Sequence, residues 1–365
     1  EIAPKADAAQ IQSAINAAVK LRKPRVIVHF PAGQYAIATT LKIPANSDIQ
    51  LVGDGFGTEL KWTGDDKGTV LHLAGPSRAL LRDLVIQAGV AAHGIVIENC
   101  DQVGARVFME QGEVAGARRT GLLVDGLDNT DVSLHDFYHS GVRCADGASI
   151  AVKVVGGAGM AAHKNVAGRV AIFGGASSDN DLSYDLTNNA RLIAEDIWYE
   201  GGPPRFINFT DKNSGTFTLN GGTTATGQSG PQAGTDQPDF AALTINGFHG
   251  DVSLLGVIVG KKILVSGNSA DMNVLAVLHG TDDYFMDKAT AGEVALLDST
   301  KYQNGGGGTP ITDQGNADPN FVLKMLAQVR TTRPRPLTDL PRGVTDVRFY
   351  RVTVYGGEIG INLSR

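Results

Sequence analysis

The stretch RVIVHFPAGQYAIATTLKIPANSDIQLVGDGFGTELKW, residues 25–62, decides the fold. Its apolar residues alternate with polar ones in short runs, VIVHF, YAI, LKI and IQLVG, and each run stops at Pro, Gly, Asn or Asp. A period of two in runs this short reads as β-strands separated by tight corners. The segment just before it has a different period. In DAAQIQSAINAAVKLR (7–22), Ile11, Ile15 and Val19 recur every fourth residue, with Ala14 and Ala18 on the same side. That spacing predicts an amphipathic helix with Asp7 as its N-cap, cations at its C-terminal end, and Pro24 closing it.

Downstream, the strand-corner phrase recurs. It reads as ALLRDLVIQAGVAAHGIVIENC (79–100), a unit over 101–129, TDVSLHDFYHSGVRCADG (130–147), ASIAVKVVGGAG (148–159), a unit over 190–211, then 251–270, 271–281 and TDVRFYRVTVYGGEIGINLSR (345–365). The steps from Ala79 to Asp101, from Thr130 to Ser149 and from Asp251 to Asp271 are nearly equal. A period of roughly 20 residues, with several short strands in each repeat, marks a solenoid. The spaced residues are Val, Ile and Ala rather than the leucines of a leucine-rich repeat, so the expected fold is all-β, a parallel β-helix with an N-terminal capping helix. The reading takes residues 1–365 as one domain: the helix over 7–22, main coils over 25–300, a polar insertion over 212–240, a loop with a short helix over 303–344, and a final coil over 345–365. Within 303–344, PNFVLKMLAQVRT (319–331) carries the second helical pattern.

Composition agrees. Glycine makes up 46 of 365 residues, well above the usual share of about 7%, and dispersed glycine provides corners with positive φ. The formal net charge is −6 and no long basic run exists, so a nucleic-acid partner is not expected. No segment is apolar over the length needed to span a membrane. The chain opens on Glu-Ile-Ala, which reads as a mature form or an excised piece. Cys100 and Cys144 fall two coils apart in this register. Two steps of about 4.8 Å exceed the ~7 Å reach of a disulfide, so two buried thiols are expected.

Three phrases carry a family likeness. The helix AAQIQSAINAA, the strand VIVHFPAGQY and the turn LVGDG resemble the opening of pectate-lyase-like right-handed β-helix proteins. The resemblance covers the N-terminal stretch as far as Trp62 and implies the fold. For function it implies a polysaccharide or oligosaccharide partner at the cell exterior or periplasm, handled by a lyase or a hydrolase. The alternative is a non-catalytic carbohydrate-binding or structural module like a tailspike or adhesin, and tailspike-like relatives make a homotrimer worth testing.

Three sets of residues bear on chemistry. Asn129-Thr130-Asp131 resembles a polygalacturonase signature, but that family also needs an Asp pair one coil later, then Gly-His-Gly and Arg-Ile-Lys. Residues 148–159 hold no carboxylate and no Arg-Ile-Lys exists, while Thr-Asp-Val recurs at 345–347; Asp131 therefore reads as a register residue. A calcium-dependent lyase would use stacked carboxylates from Asp125, Asp128, Asp131 and Asp136, with Arg118, Arg119 or Arg143 nearby. Ca²⁺ is the one cofactor any of these readings calls for; no histidine spacing fits zinc. The third set, AEDIWYEGGPPRF (194–206), is the one preferred. Alternation there places Asp196, Trp198 and Glu200 together on the outer face. The expected catalytic residues are Asp196, Glu200 and Arg205. Trp198, Tyr199, His139 and Arg143 are expected to contact the sugar. His135 and His139, four apart, are expected on one strand face.

Overall fold

The computed structural model describes residues 1–75, 78–98, 105–145, 147–164, 166–200, 207–225, 241–259, 262–266, 271–279, 284–286, 293–298 and 314–315. The chain is a right-handed parallel β-helix whose coils each have three faces. The coil that begins at residue 78 shows the plan: Arg78–Arg82 on the first face, Val85–Gly89 on the second and His93–Glu98 on the third. Each strand pairs in parallel with the strand one coil before and one coil after it. The first and second faces form one continuous sheet around a tight corner, and the third face is a separate sheet.

Alternation turns every other side chain inward, and parallel register stacks like on like. On the first face Val28, Leu51, Leu81, Met109, Leu134, Ile172 and Ala194 form one buried row. On the third face Ile43, Leu73, Ile97, Val124, Val154 and Leu186 form another. Removing such apolar surface from water, at roughly 25 cal/mol per Å², is the main favourable term in the fold.

The helix expected over 7–22 occupies Ala8–Lys20, with a capping box between Asp7 and Gln10. It covers the open end of the first coil. Ile11 and Ile15 are fully buried, and the Gln12 side chain bonds both the carbonyl and the N–H of Lys42, at 2.9 and 2.7 Å. The backbone edge of Leu41–Pro44, which would otherwise be open to a foreign strand, is thereby paired.

Coil length varies more than one fixed period allows. Val294 lies in register with Val274, whereas Val170 lies in register with Val132 across nearly twice that separation in sequence. Two sequence expectations fail for this reason. Residues 150–156 are the third face of the coil that starts at Asp131, so the next coil along begins at Arg169, and Arg169 lies opposite Asp131 with an ion pair of 3.1 Å. The insertion expected over 212–240 does not hold for residues 214–220 and 223–225. Ser214–Asn220 and Thr223–Ala225 are ordinary first- and second-face strands, because Phe217 and Leu219 continue the inner rows. Residues 226–240, Cys100, the 319–331 helical pattern and the coil at 345–365 lie outside the described residues.

Candidate functional site

The corner between first and second faces is built from left-handed residues. Gly55, Asp83, Gln111, Asp136, Gly174, Asp196 and Gly221 follow one another up the solenoid, all with positive φ. Each donates its N–H to a carbonyl of the next coil, as Asp136 does to Phe173 (2.9 Å), Gly174 to Glu195 (2.9 Å) and Asp196 to Asn220 (2.9 Å). Asp and Gly suit this conformation because most side chains crowd the backbone there. From Asp83 onward the residue after each corner lies on the inner side and alternates in size: Leu84, Gly112, Phe137, Gly175, Ile197, Gly222. A Cβ on Gly175 would lie 2.3 Å from the Phe137 carbonyl oxygen, and one on Gly112 2.8 Å from the Phe137 ring. The glycines are what let coils with large corner residues stack closely.

Three consecutive coils stand out at this corner. They read HDFYHS (135–140), FGGASS (173–178) and EDIWYE (195–200), and register aligns them residue for residue. The middle coil offers only Gly174, Gly175 and Ala176 where its neighbours carry side chains. The result is a trough with a low floor and two walls. One wall is Asp136 and Tyr138 and the other is Asp196 and Trp198; beside the trough, Phe173 stands between His135 and Glu195. Asp136 leans across the floor, with Oδ1 2.5 Å from where a Cβ on Gly174 would sit. Two coil steps of about 4.8 Å put the Asp136 and Asp196 Cα atoms roughly 9–10 Å apart. Tyr138 and Trp198 flank Ala176 in the same way and are 40% and 56% exposed. A third exposed aromatic, Phe56, meets Tyr138 edge to face at 5.9 Å. Large aromatic surface left in water beside carboxylates is the composition of a sugar-stacking site. His135 stacks on Phe173 at 5.0 Å, and Ser133 hydrogen-bonds it at 3.0 Å.

Sequence reasoning placed Asp196 and Trp198 here, and the fold brings both to the trough. It did not assign Asp136, Tyr138, Glu195 or His135 to a common site. Their signal was available: HDFY and EDIW match in pattern, with FGGA between them.

Other expected contacts fall elsewhere. Residues 194–200 are not one strand; Ala190–Glu195 ends, Asp196 turns the corner, and Trp198–Glu200 begins. Trp198 points out and Tyr199 in, where Tyr199 is 4% exposed and hydrogen-bonds Tyr184 hydroxyl to hydroxyl at 2.8 Å. Burial raises both phenol pKa values. Tyr199 is therefore a core residue and not a sugar contact. His139 fails for a related reason. The corner at Asp136 breaks the strand alternation, so His135 faces out while His139 points inward between Val114 and Ser177. It is 3% exposed, its Nε2 has no hydrogen-bond partner among the described residues, and burial lowers its pKa to about 4. Arg143 is exposed, but its guanidinium is held by Asp179 at 3.0 Å. Glu200 lies in register with Ser178 and Ala225, and Arg205 lies outside the described residues.

The carboxylates of the calcium reading do not gather. Asp128 is buried and accepts from the Gly159 and Met160 amides, Asp131 pairs with Arg169, and Asp125 is on the third face. Arg118 pairs with Asp66 at 3.6 Å. No group of three His, Cys, Asp or Glu among the described residues is placed to hold a metal ion, so the stacked-carboxylate set does not fit Ca²⁺. Within the same residues, no helix is long and apolar enough to cross a membrane.

No family model matches the chain, and no curated protein matches it. Solved structures do. An alginate lyase from Paenibacillus sp. str. FPU-7 aligns at 15% identity over 80% of this chain and 98% of that one, with a TM-score of 0.47. Geobacillus virus E2 ORF18 aligns at 14% over 80% of this chain, with a TM-score of 0.46. The match spans 58% of that viral protein's length. The A-module of the Azotobacter vinelandii mannuronan C-5 epimerase AlgE4 aligns at 15% over 81% of this chain and 97% of that one, with a TM-score of 0.37.

Proposed function

We propose that the chain binds a polysaccharide across the Gly174–Ala176 trough and cleaves it there as a glycoside hydrolase. The observation that carries this reading is the pair of matched walls, each with a carboxylate and an exposed aromatic, facing each other over a floor of two glycines and an alanine. Tyr138 and Trp198 would stack successive sugars. Asp136 and Asp196 would flank the bond between them. Inverting glycosidases hold their two carboxyl groups about 6.5–9.5 Å apart, with room for a water. A Cα spacing of roughly 9–10 Å, from two coil steps, with Asp136 leaning inward, suits that arrangement. In it one carboxyl protonates the leaving oxygen while the other activates water. Glu200 and Arg205, which follow Trp198 in the sequence, belong to the same proposed set.

The test is product release from a panel of polysaccharides, scored both as new reducing ends and as ultraviolet-absorbing unsaturated ends. Hydrolysis gives the first without the second. Asp136→Asn and Asp196→Asn should each lower turnover by about 10²–10⁴-fold, the usual worth of general acid–base catalysis. Turnover that survives both substitutions would remove the assignment. One observation favours a second reading, a non-catalytic binding module. Asp136 and Asp196 both occupy left-handed corner positions, where aspartate is favoured for geometry alone. Under that reading Trp198→Ala abolishes binding and no polysaccharide on the panel is cleaved.

A further inference from the structure

The charge around the trough selects among sugars. Glu110, His135, Phe173 and Glu195 form one outward row beside it, Asp136, Gly174 and Asp196 the corner row, and Glu113, Tyr138, Ala176 and Trp198 the row beyond. Five carboxylates, those of Glu110, Glu113, Asp136, Glu195 and Asp196, thus border the aromatic platforms. Glu110, Asp136 and Glu195 have no cationic partner among the described residues.

The cations of the same coils are turned to other work. Arg82, which stands one coil before Glu110 in the outward row, is held by Asp83 at 3.0 Å. Arg169 is paired with Asp131, Arg143 with Asp179 and Lys153 with Asp185. Arg106, Arg169 and Arg191 stand at the start of the first-face strands. That is four residues, or roughly 13 Å, from the row that holds Glu110 and Glu195. At about 8–10 Å of Debye length, such charges are largely screened from a ligand in the trough at ordinary salt. A polymer bearing a carboxylate on every sugar would therefore meet uncompensated like charge. The carboxylates have no group placed to hold a bridging metal ion among the described residues.

We infer that the trough takes a glycan whose sugars carry protonated amines and no carboxylate, an amino-sugar polymer and not a polyuronate. This rests on the reading of the trough as a sugar site. Trp198 and Tyr138 supply stacking to any sugar face, and the carboxylate rows supply charge-assisted acceptors for ammonium groups.

The test is calorimetric binding to the full chain of three oligosaccharides of equal length, built from glucosamine, N-acetylglucosamine and galacturonate. The glucosamine oligomer should bind tightest and the galacturonate oligomer weakest. The glucosamine affinity should fall with added salt, and Glu110→Gln and Glu195→Gln should each weaken it by about two- to five-fold, the scale of an exposed ion pair. Each substitution should weaken glucosamine binding more than N-acetylglucosamine binding. Trp198→Ala should abolish binding of all three. Equal, salt-independent affinity for the first two sugars overturns the inference, as does galacturonate binding at least as tight as glucosamine, while the sugar site itself stands. If no sugar binds in a Trp198-dependent way, the site reading falls and this inference with it.

Discussion

Consider acidification of the wild-type chain beside a His139→Leu variant. His139 is buried in the solenoid interior with Phe137 at 5.4 Å between ring centres, and its Nε2 has no partner among the described residues. Burial holds its pKa near 4, against 6.5 for a free imidazole. Above pH 6.5 the ring is neutral whether the chain is folded or not, and the full stability is present. As pH falls below 6.5, the unfolded chain takes up a proton that the folded chain refuses, so stability is lost progressively down to about pH 4. Each unit of pKa difference is worth about 1.4 kcal/mol, so the loss attributable to His139 is about 3 kcal/mol across that window. Urea midpoints measured between about pH 7 and pH 4 read it directly, because leucine cannot titrate. Carboxylates titrate in both chains and cancel in the comparison. The variant should be no less stable at neutral pH, where it removes an unsatisfied buried nitrogen and retains comparable bulk. Parallel pH profiles for the two chains would refute the burial argument and return His139 to the surface.

Two further expectations concern the same interior. Tyr199→Phe should strand the Tyr184 hydroxyl, at a cost of about 1–3 kcal/mol, and Tyr184→Phe should remove the same hydrogen bond. The double variant should cost less than the two singles together, as denaturant midpoints in a double-mutant cycle would show. Burial raises both phenol pKa values. Stability should therefore also fall as pH rises above about 10, where only the unfolded chain ionises, by up to about 1.4 kcal/mol per pH unit for each tyrosine. Thermal melts of wild type against the double variant would check it. Gly174→Ala should cost only about 1 kcal/mol, the penalty of a left-handed alanine, since the group its Cβ meets is the mobile Asp136 carboxylate. Gly175→Ala should cost clearly more, because its Cβ would lie 2.3 Å from the Phe137 carbonyl, which is backbone; equal melting temperatures for the two variants would contradict the close-stacking account.

How far the sequence could be read depended on whether a feature followed from local periodicity or from coil length. The inner rows were legible because alternation alone selects Val28, Leu51 and Leu81 as inward residues, and the capping helix because its fourth-residue spacing is likewise local. The site was half legible. Trp198 pointed outward under any register, and Asp196 stood beside it. Asp136 and Tyr138 could join them only once the coil between was known to start at Arg169, and a coil of nearly double length hid that behind an apparent repeat at 148–159. The same hidden corner misplaced His139. Counting by twos from His135 puts both histidines outside, but Asp136 at φ +47 turns the chain, and the count restarts on the other side of it. A corner residue therefore does two things that a strand residue cannot. It resets which neighbours face the core, and it turns its own side chain into the angle between two faces. Asp136, Gly174 and Asp196 are a single column for that reason, and the empty middle member gives the two carboxylates a space in common.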